Sequence, residues 1–203
     1  IIGAHDLWLV ALAAGICSLA AITAVELLRH ARKAAGRVRP LWLCVAAIAG
    51  GSGIWATHFV AMLAFEPGLP SGYDMDLTAL SLVYAVVLTG IGLAVSLLAA
   101  LPLAPAIGGA ILGGGIAAMH YTGMTAFEVP GHIRWDPVLV AASLVIGTVL
   151  GSVALSVALG RDGVRGRAAG GLLLLAAICS HHFTAMGAVT ITPDPTIVIS
   201  ETA

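Results

Sequence analysis

Charge is what this sequence lacks. Asp, Glu, Lys and Arg make up 9% of the 203 residues, against roughly a quarter in a soluble globular domain. Hydrophobic residues make up 60%, in long runs that exclude a soluble protein and predict an integral-membrane one. Cysteine is also scarce. Cys17, Cys44 and Cys179 all lie inside apolar runs, where a thiol reads as a small packing residue, so a disulfide scaffold is excluded. Buried acid is missing too. Glu26 is the only carboxylate well within an apolar run, and it lies close to a basic turn. No carboxylate pair is therefore available for hydrolysis. No phosphate loop occurs either, so no enzyme is expected within these residues. The net charge of −1 points to no particular partner, and no nucleic-acid partner is expected. The first apolar run has its basic residues after it rather than before it, the wrong polarity for a signal peptide. A chain that starts at Ile1 is expected to be a fragment of a longer one.

What is present is six apolar spans, each near the roughly 20 residues that a bilayer requires. They cover about 7–28, 41–65, 77–101, 106–127, 138–159 and 168–191. Of the nine Lys and Arg residues, all but Arg134 fall in two turns, one after the first span and one after the fifth. The positive-inside rule places those turns in the cytoplasm. The N-terminus, the acidic loops and the C-terminal tail are then expected outside. Each odd span opens near an aspartate, Asp6, Asp76 or Asp136, predicted to cap its helix. Pro102 and Pro105 break the chain between the third and fourth spans.

One short motif occurs three times: Thr57-His58-Phe59-Val60-Ala61-Met62, Met119-His120-Tyr121-Thr122-Gly123-Met124 and His181-His182-Phe183-Thr184-Ala185-Met186. Successive histidines are 62 residues apart. A fixed period is the signature of a repeat architecture. It predicts an all-α membrane protein of at least six transmembrane helices, built as three hairpins over about 6–66, 76–128 and 136–191, within a single domain 1–203. The match extends upstream, where Gly51-Ser52-Gly53-Ile54 aligns with Gly113-Gly114-Gly115-Ile116. Small residues there allow helix backbones to approach closely. The third copy, with Leu175-Ala176-Ala177-Ile178 at that place, is the most diverged.

The repeat also carries the chemistry. A His four residues before a Met shares a helix face with it, and imidazole with thioether is a donor set that favours copper over hard cations. The candidate ligands are His58, Met62, His120, Met124, His182 and Met186. Met119 and His181 are additional ligands or partners behind the ligands. Ionisable residues inside a membrane usually face a bundle interior, so the three histidines, at equal depth near the outer face, are expected to converge. Phe59, Tyr121 and Phe183 read as shielding. His5 and His132 read as solvated, and His30 belongs to the first basic turn.

The segment 114–124, with its two companion copies, resembles the signature of the MHYT family of bacterial membrane sensor domains, and the resemblance covers essentially the whole chain. Thr57 departs from the commoner Met at that position. The resemblance implies a bacterial inner-membrane protein that binds copper through these His and Met residues. It also implies sensing of oxygen, carbon monoxide or nitric oxide, and a cytoplasmic output domain such as those that make or degrade cyclic di-GMP. A seventh span normally follows in the family, and truncation is expected here. Two other functions compete with the sensor. One is copper handling or transport, although the inner halves of the spans offer no ladder of His or Met. The other is haem binding, with two histidines as axial ligands.

Overall fold

The computed structural model describes residues 6–197. His5 and the two ends of the chain, 1–5 and 198–203, lie outside the described residues. Six long helices follow one another: α1 (Leu7–Lys33), α2 (Val38–Leu63), α3 (Met75–Leu98), α4 (Ala104–Ala126), α5 (Pro137–Gly160) and α6 (Gly163–Gly187). Each packs on the next, and α1 meets α6 to close the ring, while α4 also touches α2 and α6 across the middle. Both basic turns lie at one end of the bundle. The other end carries two short antiparallel ribbons that the sequence reading did not foresee. In one, β1 (Gly72–Tyr73) pairs with β2 (Phe127–Glu128); in the other, β3 (Gly131–Trp135) pairs with β4 (Val189–Pro193).

The 62-residue period is visible in the backbone. At the ribbon end, Asp6 N–H donates to the Ala64 carbonyl, Asp74 to Ala126 and Asp136 to Ala188, each at 2.9 Å. Each odd helix is thus tied at its start to the end of the even helix that follows it. The carboxylates of Asp6, Asp74 and Asp136 also cap their helices, accepting from the backbone of Trp8, Leu77 and Val138 at 2.8 Å. For α3 this corrects the sequence expectation: Asp74 is the cap and Asp76 lies in the first turn. A cap must precede the first helical residue so that its oxygen reaches the free N–H groups.

Five helices, all but α4, are long and apolar enough to cross a membrane. The sequence reading expected six such spans. The helix α4 falls short because six of its residues are glycine. It is also the helix with the most buried residues, so protein rather than lipid surrounds much of it and it needs less hydropathy. Its glycines are where neighbouring backbones meet. A Cβ on Gly109 would stand 2.2 Å from the Gly151 carbonyl oxygen, and one on Gly113 2.4 Å from that of Gly147. On the other side, a Cβ on Gly92 would stand 2.5 Å from the Gly108 carbonyl. Gly51, which aligns with Gly113, likewise leaves no room against the α3 backbone at Val86. Small residues replace bulk with backbone contact, the usual source of helix association in lipid.

At the basic end the helices run further than the apolar spans suggest, since α1 continues to Lys33 and α6 begins at Gly163. Arg29, although charged, is only 6% exposed. It donates to the Ala158 carbonyl at 2.6 Å and the Arg161 carbonyl at 2.8 Å. Arg32 donates to the Leu159 carbonyl and to Asp162. The last carbonyls of α5, orphaned by the end of the helix, are thereby satisfied from α1.

Candidate metal centre

The even helices α2, α4 and α6 each bring one motif histidine inward. His58, His120 and His182 are 3%, 1% and 7% exposed, and one ring nitrogen from each lies within 4.8 Å of the others. His58 Nδ1 is 3.2 Å from His120 Nδ1 and 3.3 Å from His182 Nδ1. A ring nitrogen carries either one proton or one in-plane lone pair, so His58 Nδ1 cannot make good hydrogen bonds to both neighbours. One cation at the meeting point takes all three lone pairs. With metal–imidazole bonds of about 2.0 Å, the edges of a tetrahedral site are about 3.3 Å, which the two separations from His58 match, while all three nitrogens lie within 4.8 Å of one another. The donor set therefore fits a metal ion.

A second sign lies in the unpaired nitrogens. Nε2 of His58, His120 and His181 is buried with no hydrogen-bond partner. Each such group costs about 1–3 kcal/mol, so three in one place mark a site kept for a purpose other than stability. They border a small cavity of about 10 Å³ that is also lined by Met119, Ile116 and His182, about the space of one water-sized occupant.

Aromatic packing helps to hold the rings. Phe59, Tyr121 and Phe183 stand edge-on to the histidines that precede them, with centroids 4.9, 5.1 and 5.3 Å apart. Tyr121 is anchored through its hydroxyl to Ser143 Oγ at 2.7 Å. Gly123 makes the space for His58: a Cβ there would lie 2.6 Å from His58 Nε2 and 3.3 Å from Phe59 Cζ. Gly123→Ala is therefore expected to push the His58 ring off the meeting point. It should lower metal affinity about 10–100-fold, the range for disturbing what orients a ligand, with helical content unchanged. Metal titration and circular dichroism of the purified variant test this, and wild-type affinity would refute it.

His181 is fully buried. Its Nδ1 faces the Ser143 carbonyl at 2.9 Å, and that contact requires a proton on Nδ1. Nε2 then carries a lone pair, beside His120 at a ring separation of 5.3 Å. Gly147 gives the His181 ring its room. Met119, 1% exposed, lines the same cavity.

Met62, Met124 and Met186 lie one helical turn nearer the ribbons than the histidines. They pack in an apolar cluster with Phe65, Tyr73, Phe127, Ile133 and Val189. Strand alternation turns Ile133 and Trp135 inward and leaves His132 and Arg134 outward, so the ribbons seal the motif end. Burial pushes the Tyr73 phenol up to about 12. The Thr57 hydroxyl is turned back onto its own helix, 2.8 Å from the Gly53 carbonyl. His132 is exposed and sits 3.3 Å from Asp194.

The chain is 39% identical to an uncharacterized signaling protein of Caulobacter vibrioides over 97% of its length, and covers 24% of that protein. It is also 39% identical to the bifunctional diguanylate cyclase/cyclic di-GMP phosphodiesterase MucR of Pseudomonas aeruginosa, over 93% of this chain and 28% of MucR. The cyclic di-GMP phosphodiesterase NbdA of the same organism is 38% identical over 90% of this chain and 24% of NbdA. The chain thus spans about a quarter of the length of these relatives. No solved structure matches it. The family described as the bacterial signalling protein N-terminal repeat matches residues 51–109 and 113–171; these segments carry His58 and His120, and the third motif lies beyond them. The two matched copies, which bring the first two histidines to one point, mean that this chain belongs to the MHYT family.

Proposed function

We propose that this region is a membrane-embedded sensory module. It holds copper as Cu(I) through His58, His120 and His182, senses a diatomic gas there (O2, CO or NO), and signals to a cytoplasmic output domain. The observation that carries the reading is the meeting of three buried Nδ1 atoms, from three helices, around His58. Bound copper would supply an open coordination position for a diatomic ligand. The chain's own residues do the rest. Three histidines on three different helices make any change at their meeting point a change in how α2, α4 and α6 sit. The ribbons and the edge-on aromatic rings exclude water. The thioethers of Met62, Met124 and Met186, with Met119 nearer the histidines and His181 Nε2 beside them, are soft or neutral donors. They suit a monovalent ion better than a divalent one, since no carboxylate in the motif offsets extra charge. The small size of the cavity favours an ion over haem.

Metal analysis and an optical spectrum of protein purified from membranes test the reading together. Copper without a Soret band is expected; zinc, or a strong Soret band, would overturn it. Changing Met62, Met124 and Met186 together to Leu conserves volume and should weaken Cu(I) binding while leaving Zn(II) binding by the histidines unaltered. Undiminished Cu(I) affinity in that variant would remove the methionines from the site.

The same reading places the ribbon end outside the cytoplasmic membrane and both basic turns in the cytoplasm, following the Lys and Arg placement. A cysteine at exposed Ala35, introduced in a Cys44→Ala background, should resist an impermeant maleimide in intact cells. Labelling from outside would invert the topology.

A further inference from the structure

We propose that Cys17 and Cys179 form a second metal site, separate from the three histidines, for one soft monovalent cation of the Cu(I) or Ag(I) type. The two thiols come from the first and last described helices, α1 and α6, and their Sγ atoms lie 3.9 Å apart. Cys17 is fully buried and Cys179 partly so. Metal–thiolate bonds of about 2.3 Å span that separation at an S–metal–S angle of about 116°, so one ion can be gripped without moving either helix. A disulfide, at about 2.05 Å, requires the sulfurs to close by nearly half their separation.

The bent angle leaves a third coordination position open. Cys179 lines a cavity of about 50 Å³ with Thr57, Ala61, His182 and Phe183. Cys179 therefore adjoins His182 through shared space. Softness sets the class of ion, because sulfur pairs with Cu(I) and Ag(I) rather than with hard cations. Donor number sets it against zinc, whose structural sites take four ligands. Charge agrees with a monovalent ion. The entering cation displaces one thiol proton, which leaves to solvent; one sulfur binds as thiolate and the other as a neutral thiol, so the site carries no net charge before or after. A neutral site is the least costly kind inside a membrane. Two residues that read from the sequence as separate packing thiols thus acquire a joint role once α1 and α6 are neighbours.

The test uses the purified membrane protein in a Cys44→Ala background, since Cys44 is exposed, under anaerobic conditions with Ag(I) and Cu(I) as the probes. Cys17→Ser/Cys179→Ser is expected to bind one ion fewer per chain than its parent. It should also lack the near-ultraviolet thiolate-to-metal charge-transfer absorption that Cu(I) gives the parent. A His58→Leu/His120→Leu/His182→Leu variant should keep that absorption and one ion, so the outcome is independent of the histidine reading. If the double serine variant does not fold, Cys179→Ala alone should lose the same ion and the same band. Equal stoichiometry in parent and cysteine variants, or a parent without the thiolate band, overturns the proposal.

Discussion

Replacing His58 with leucine should cost the purified protein the metal of the histidine centre while its helices remain in place. His58 Nδ1 is the nitrogen that lies 3.2 and 3.3 Å from the other two, so its loss leaves two donors that no longer share a centre. Affinity should fall by more than about 100-fold, beyond the 10–100-fold typical of losing a partner behind a ligand. Leucine is close in volume to the imidazole, and its flexible end can settle against Gly123 where Nε2 stood. The stability of the metal-free protein should move the other way. His58 Nε2 is buried and unpaired, a burden of about 1–3 kcal/mol that leucine removes. Metal-free His58→Leu should therefore unfold at a temperature equal to or above that of metal-free wild type. A histidine present for structure gives the opposite pair of results: metal content unchanged and stability lowered. Elemental analysis and thermal unfolding in detergent decide between them.

Gly109→Leu should strongly destabilise the helix bundle. A Cβ at 109 meets the Gly151 carbonyl oxygen at 2.2 Å and Ser152 Cα at 2.6 Å. Both are backbone atoms, so no rotamer of leucine avoids them and α4 must move away from α5. Overpacking a core costs typically 1–3 kcal/mol; here, with backbone rather than a yielding side chain in the way, the expected loss is about 3 kcal/mol or more. The damage should reach the metal centre. The helix α4 carries His120, and α5 supplies the Ser143 carbonyl and the Gly147 space that hold His181. Gly114→Leu is the matched control, on the same helix but with nothing within 4 Å of its Cβ, and should lie within about 0.5 kcal/mol of wild type. Equal unfolding midpoints for the two variants would refute the close-packing account.

The histidine centre was legible in the sequence because it depends on periodicity. A motif repeated every 62 residues, on every second helix of a bundle whose successive helices alternate in direction, returns the same side chain to the same height. A buried ionisable group in lipid has only the interior to face. Membrane class followed from composition for a similar reason, since lipid selects residues one by one and leaves the choice in their order. The glycines aligned with Gly51 and Gly113 pointed correctly to tight contacts for the same cause.

Other features depended on neighbours distant along the chain, and the tertiary structure decided them. The role of Gly123 follows from α2 lying where its Cβ would be. The modest hydropathy of α4 followed from its central place, which local sequence does not state. The ribbons are not legible in local alternation because their strands are two to five residues long and pair across 54 to 62 residues. Arg29 read as one more charge in a basic turn, yet it is buried against carbonyls of α5 more than a hundred residues away. Cys17 and Cys179 read as unrelated packing residues until the ring of helices closed and brought them together. The sequence by itself determined the class, the repeat and which histidines meet at the centre, because each rests on residue type and spacing. Which backbones touch, and which side chains meet across 100 residues or more, depended on how six helices share one interior, and only the folded chain settles that.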